Sequence, residues 1–250
     1  MNCKILGKRL KTIININAVA SPEINIFSSP DKICMQNSSE GRVVLLETII
    51  KPKALEQFSS AKFEVAKIDS MNLKKYFSNI EDDEIVEIKI DKSYAEFKAK
   101  KSTFRQRLID STETIQFVLP DERKKSGDKP PLQFDYEVLI ENFESFKKCI
   151  NTGKNIEDII YILVDKTKIT LESKSKLGEF SAFFDDINIH KCIKPSKSMM
   201  QVLELSQFLN FVARKFIIMG GTDIPIKILV KPYNFVEVKY LQAPRVDLDV

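Results

Sequence analysis

The feature that most constrains this chain is a short amphipathic segment that occurs four times. In residues 205–217, LSQFLNFVARKFI, the residues Leu205, Phe208, Leu209, Val212 and Phe216 recur at the spacing of one helical face, which predicts a helix with a buried stripe. Arg214 falls almost opposite that stripe and Lys215 on its flank, so the exposed side carries adjacent positive charges. The same design recurs at 72–80, with Leu73, Phe77 and Ile80 inward and Lys74 and Lys75 outward. It recurs at 141–151, with Phe143, Phe146 and Ile150 inward, Lys148 outward and Lys147 flanking. Near the N-terminus, a helix from Lys8 to about Ala20 turns Leu10, Ile13 and Ile14 inward, Lys8 outward and Lys11 to the flank. Nearly the same interval separates Lys8 from Lys74 as separates Lys147 from Arg214, so the chain reads as two copies of one helix and sheet unit. Exposed lysines on a lone helix are ordinary solvated charge; four such faces in two matched intervals favour a shared basic surface.

A chain of 250 residues lies at the upper edge for one hydrophobic core, and two domains are the natural division. The expected boundaries are an N-terminal domain over 1–109, a connector over 110–131 and a C-terminal domain over 132–250. The connector assignment rests on a change of character, a compact apolar island at 115–119 followed by charges, Gly127 and Pro130–Pro131. No apolar run approaches the roughly 18 residues of a membrane span, and the N-terminus turns polar too soon for a secretory signal. The expectation is a protein that stays in the compartment where it is made and has no membrane partner.

Cys3, Cys34, Cys149 and Cys192 form no C-x-x-C pair, so neither a zinc site nor a disulfide framework is indicated. His190 is the single histidine, and with Cys192 it supplies only two candidate ligands. No carboxylate pair stands apart from the solvated ones, and no G-x-G-x-x-G, G-x-x-x-x-G-K or G-x-S-x-G motif is present. Neither catalysis nor a cofactor is therefore expected. The net charge of +4 is small for a nucleic-acid binder, so attraction to phosphate would have to come from uneven distribution, which the basic helix faces supply.

Between the helices, short strands are expected at 3–6, 24–27, 32–36, 43–50, 62–68, 94–100, 103–109, 132–139, 159–164, 168–173, 179–185 and 199–205. Period-two runs mark Val86, Ile88 and Ile90 and, near the end, Ile226, Ile228 and Val230, then Val236, Val238 and Tyr240. Helices this few cannot cover both faces of the sheets. The fold class is α+β, with two similar domains of antiparallel sheets carrying two helices each.

The C-terminal runs SQFLNFVARKF, DIPIKILVKP and VEVKYLQAPRV resemble the closing segment of DNA sliding clamps of the proliferating cell nuclear antigen (PCNA) family. The matching positions are 205–211, Asp223 to Pro225, and Lys239, Tyr240, Ala243, Pro244 and Arg245; SSEGRVVLLETI and LESKSKLGEF extend the likeness upstream. A divergent archaeal or viral member would reside at the nucleoid, the nucleus or a replication compartment. The resemblance implies a ring, a homotrimer or heterotrimer of two-domain chains, with helices lining the hole. Lys8, Lys11, Lys74, Lys75, Lys147, Lys148, Arg214 and Lys215 would then face double-stranded DNA without reading its sequence. It further implies a pocket for DNA polymerase, clamp loader and other enzymes bearing clamp-binding motifs. That pocket would be bordered by Arg42, Val43, Leu45, Phe117, Val118, Leu119, Pro225, Ala243, Pro244 and Val246. Subunits would join through strands carrying Phe104, Arg105 and Arg107 on one chain and Glu179, Phe180 and Phe183 on the next. A clamp-shaped adaptor in damage signalling or transcription is the alternative, and an enzyme with an unrecognised carboxylate site is a third reading.

Overall fold

The computed structural model describes residues 1–60, 64–110, 116–122, 131–185 and 187–245, the side chain of Arg42 excepted. It divides into two compact units, one of residues 1–117 with 231–238 and one of residues 118–230 with 239–250. The division falls inside the expected connector, and the tip of the last hairpin groups with the first unit.

The first unit runs β1 (Asn2–Leu6), α1 (Gly7–Asn17), β2 (Glu23–Ser29), β3 (Lys32–Ser38), β4 (Val44–Ile50), β5 (Gln57–Ser59), β6 (Glu64–Asp69), α2 (Ser70–Phe77), β7 (Ile85–Ile90), β8 (Tyr94–Lys98) and β9 (Thr103–Arg107). The second runs β10 (Tyr136–Ile140), α3 (Phe143–Lys154), β11 (Ile159–Val164), β12 (Ile169–Lys174), β13 (Glu179–Phe184), β14 (Asn188–Cys192), β15 (Ser196–Gln201), α4 (Val202–Asn210), β16 (Phe216–Gly221), β17 (Ile224–Tyr233) and β18 (Val236–Gln242). The strand order β5-β1-β7-β8-β9 of the first unit returns in the second as β14-β10-β16-β17-β18, and β4-β3-β2-β6 returns as β13-β12-β11-β15. The fold is α+β with antiparallel sheets, and it is duplicated strand for strand.

Each helix pair lies against its own unit's sheets: α1 packs on α2 and on β1, β3 and β4, and α3 packs on α4 and on β11, β12 and β13. The first core joins Leu10, Ile13 and Ile14 of α1 and Leu73 and Phe77 of α2 to Ile5, Ile24, Ile26, Val86 and Phe97 of the strands. In the second, Phe146 of α3 meets the ring of Phe216 edge-on at 5.6 Å, and Phe208 of α4 stacks on Tyr240 at 4.4 Å. These arrangements gain the usual aromatic pairing energy on top of burial.

The boundaries differ from the expected ones for local reasons. The first helix ends at Asn17 rather than Ala20. The buried Asn17 side chain donates to the Ile13 carbonyl at 2.8 Å and to Thr48 Oγ1 at 3.0 Å, while the Asn17 carbonyl accepts from Asn37 at 2.7 Å. That accounts for a polar residue on the apolar side of the helix. α2 starts at Ser70, with the Asp69 side chain accepting from the Met71 amide at 2.8 Å as its N-cap. α3 continues through Gly153, which is buried where a Cβ would stand 3.0 Å from Ile160 Cδ1, so this glycine serves close packing rather than helix termination.

The fourth helix departs most. It spans Val202–Asn210 and stops, and Phe216 begins a strand paired with Val230. Val212 and Phe216 are both buried, so the helical spacing of apolar residues is real, but its last two members belong to a turn and a strand. Besides β16, two strands, β5 and β14, were not anticipated. They are equivalent edge strands of the two units, half exposed and without apolar alternation.

Candidate nucleic-acid interface

α1 begins at Gly7, which is buried because the 81–84 turn crosses it: a Cβ would lie 2.5 Å from the Glu81 carbonyl. The carbonyls of Glu84 and Asp82 accept from the amides of Gly7 at 2.7 Å and Lys8 at 3.0 Å, filling positions that an N-cap side chain otherwise serves. This aims Lys8 outward, exposed and without an ion pair among the described residues. Lys11, one turn on, is held by Asp82 at 2.9 Å, and that contact keeps the Asp82 carboxyl below its ordinary pKa.

On α2, Lys75 is exposed and Lys74 half-buried, and neither has an ion pair among the described residues. Burial lowers the Lys74 ammonium pKa. Lys11 and Lys74 line one cleft of about 190 Å³ between α1 and α2, with Ile14, Asn15, Phe77 and Ser78. The structure therefore brings cations of both helices of the first unit to one surface.

The second unit is less basic than expected. α3 presents Lys148 freely, but Lys147 pairs with Glu144 at 3.0 Å. Arg214 and Lys215 are not on a helix. They lie exposed in the turn between α4 and β16, where Lys215 stands 3.7 Å from Glu141 with both side chains about two-thirds exposed, a pair of little energetic weight. α4 itself carries no lysine or arginine, and its exposed stripe is Leu203, Gln207 and Asn210.

The strands named for subunit contact occupy sheet ends: β9 closes one strand order of the first unit and β13 one strand order of the second. On β9, Arg105 and Arg107 are exposed and Phe104 half-buried, and Arg105 lies 4.1 Å above the Tyr94 ring. On β13, Glu179 is exposed, Phe180 half-buried and Phe183 67% exposed, and Leu177 just before it is fully exposed.

The residues named for partner binding divide between the units. Val43 is exposed and Leu45 half-buried in the first unit; Pro225, Ala243 and Pro244 are half-buried in the second; Val246 and the Arg42 side chain lie outside the described residues. Of the connector residues, Val118 is 56% exposed, whereas Leu119 at 1% is a core residue and presents no surface to a partner.

Two anchoring devices were passed over in the sequence. Buried Gln36 on β3 donates to the Phe117 carbonyl and accepts from the Phe117 amide, both at 2.9 Å, in the manner of a strand rung. In the second unit, the turn at 120–122 is fixed by Lys227, which reaches Asp121 at 2.5 Å and Glu122 at 3.1 Å, and by Lys239, 2.9 Å from Glu122. A polar residue inside an otherwise apolar strand was the one available clue to each.

His190 stands 3.3 Å from Glu137, and among the described residues no group of three His, Cys, Asp or Glu could hold a metal. Among the described residues no helix is long and apolar enough to cross a membrane.

No protein-family model matches the chain, and no curated protein matches it in sequence. Solved structures do match in shape. The A. fulgidus PCNA bound to the C-terminal region of FEN-1 is 18% identical, with a TM-score of 0.84 over 99% of both chains. The PCNA of Entamoeba histolytica is 19% identical, with a TM-score of 0.81 over 98% of both chains. At this identity the likeness is one of architecture: the chain has the PCNA sliding-clamp fold.

Proposed function

We propose that the chain is a DNA sliding clamp, a processivity factor that encircles duplex DNA and tethers replication and repair enzymes. The observation that carries this reading is the set of exposed lysines without ion pairs, Lys8 and Lys75 in one unit and Lys148 in the other, on the helices of a duplicated clamp fold. Lysines on an inner wall neutralise phosphates without contacting base edges, so the contacts are interchangeable along the duplex and permit sliding. Retention then comes from ring closure rather than from affinity.

Closure uses the sheet ends. β9 offers arginines and β13 opens with Glu179, so pairing the first unit of one chain with the second unit of another joins opposite charges and removes two open edges. Partner enzymes dock through short terminal segments, a mode supported by the A. fulgidus PCNA, which is bound to the C-terminal region of FEN-1.

Combined reversal of Lys75, Lys148 and Arg214 to Glu should abolish stimulation of primer extension by the cognate replicative polymerase without changing solution mass. Undiminished stimulation would overturn the proposal. Binding of a polymerase-derived clamp-binding peptide separates a processivity clamp from a clamp-shaped adaptor, which has no need to bind it.

A further inference from the structure

The tip of the last hairpin carries a side chain that its backbone does not favour. Asn234 and Phe235 join β17 to β18 as a two-residue turn, and Phe235 has φ 64°. This is the left-handed region, which glycine enters freely and a bulky residue does not. The position is nonetheless held: the Phe235 carbonyl accepts from the Lys51 amide at 3.0 Å, and neighbouring Val236 is buried in the first core. Burial of the ring does not offset the strain, because Phe235 is 50% exposed. Backbone strain that persists in this way is characteristic of residues that meet something outside the chain.

The surroundings are basic. Lys53 stands over the Phe235 ring, 5.8 Å from its centre, and Lys51 and Lys53 are both exposed with no ion pair among the described residues. Lys231, on the strand leading to the turn, reaches Glu237 only at 4.0 Å with its own side chain 70% exposed, a pair of little weight. All of these residues belong to the first unit. Two residues before Phe235, the Tyr233 hydroxyl lies 2.9 Å from Thr12 Oγ1, so the turn is tied to the flank of α1.

Charge and shape together select the occupant. Unpaired lysines attract a polyanion, and a ring that projects offers a platform to another flat ring, whereas the apolar anchor of a peptide needs a pocket to enter. We infer that Phe235, with Lys51 and Lys53, is a stacking site for an unpaired base of a single-stranded nucleic acid. The base lies on the ring and the adjoining phosphates on the two ammonium groups. Bases inside a duplex are stacked on their own neighbours and cannot use it, so the site is separate from the helix lysines and does not depend on the clamp reading.

The test is fluorescence anisotropy of the intact protein with a labelled oligothymidylate of about ten nucleotides, an abasic oligomer of the same length and charge, and a glutamate-rich peptide. Oligothymidylate should bind more tightly than the abasic oligomer. Phe235→Gly should remove that difference, a loss of about 5- to 150-fold, and Phe235→Trp should keep it. Glycine suits the turn, so Phe235→Gly should not lower the melting temperature, as it would if the ring served only packing. Lys51→Gln and Lys53→Gln should each flatten the slope of log K against log salt for oligothymidylate by about 0.7. Equal binding of the two oligomers, or unchanged oligothymidylate binding by Phe235→Gly, refutes the site. Binding of the peptide through Phe235 in place of oligothymidylate also refutes it and makes the turn a protein-docking surface. Phe235→Gly should bind fully paired duplex as the parent does; loss of both would refute a site separate from the duplex contacts.

Discussion

Replacing Lys227 by Met should release the turn at 120–122 from the second unit. The Lys227 side chain is 6% exposed and Asp121 14%, so the substitution strands a nearly buried carboxylate at the place where the chain enters this unit. Breaking a buried pair from one side costs about 3–5 kcal/mol. Glu122 adds little to that, being 37% exposed and still held by Lys239. A value near ~3 kcal/mol, the low end, is therefore expected. Native-state hydrogen exchange reads it locally at the Leu132 amide, which donates to the Pro120 carbonyl at 3.0 Å, and at the Glu122 amide, which donates to Leu119 at 2.9 Å. Protection there should fall about a hundredfold. Lys227→Met combined with Asp121→Leu should recover part of it, since no charge is then orphaned. Acid should act in the same direction. Burial raises the Glu122 pKa, but hydrogen bonds and charge from Lys239 and Lys227 lower it further, to a net value below the ordinary one. Its contribution is thus complete above the pKa of an unfolded glutamate and lost as pH falls through the lower folded value. Protection that survives Lys227→Met, or a double variant as loose as the two losses summed, would refute the reasoning.

Phe183→Asp should convert a ring of about three times 28.7 kDa into single chains by light scattering, because it places a charge on the exposed edge of β13; an unchanged mass would remove that edge from the closure model. Burial pushes the Cys3 and Cys34 thiols up to about 12, so at pH 8 both should resist Ellman's reagent until the protein unfolds, whereas half-buried Cys192 reacts in the native state. Gly7→Ala should cost about 1–3 kcal/mol in thermal or denaturant unfolding, since the added methyl meets the Glu81 backbone; a neutral effect would show that the 81–84 turn yields easily.

The duplication was legible in the spacing of Leu10, Leu73, Phe146 and Phe208 among their basic neighbours, because each of these residues must enter a core. Less legible was which charges remain free. Lys11 is neutralised by Asp82, far from it in sequence, and Lys147 by Glu144 on its own helix; helical spacing placed both on the flank of the basic face but did not show that either is paired. The end of α4 was misread because Val212 and Phe216 keep a four-residue spacing while leaving the helix, and burial alone does not distinguish a helix face from a turn followed by a strand. Topology supplies what periodicity lacked: β7 follows α2, so a strand after α4 at the position of β16 is what a strict repeat requires. Gln36, Lys227 and Lys239 were passed over because their partners lie in the connector, where no local pattern points to them.

Whether these surfaces enclose a duplex is tested most directly by retention on DNA that can or cannot be threaded. The protein is incubated with linear duplex bearing free ends and with the same duplex blocked at both ends, then washed at about 0.5 M salt, where phosphate contacts are screened. Encirclement predicts that protein passes over free ends and is held when those ends are blocked afterwards, and that duplex blocked beforehand retains none. Equal retention on both, or none on either, would contradict it.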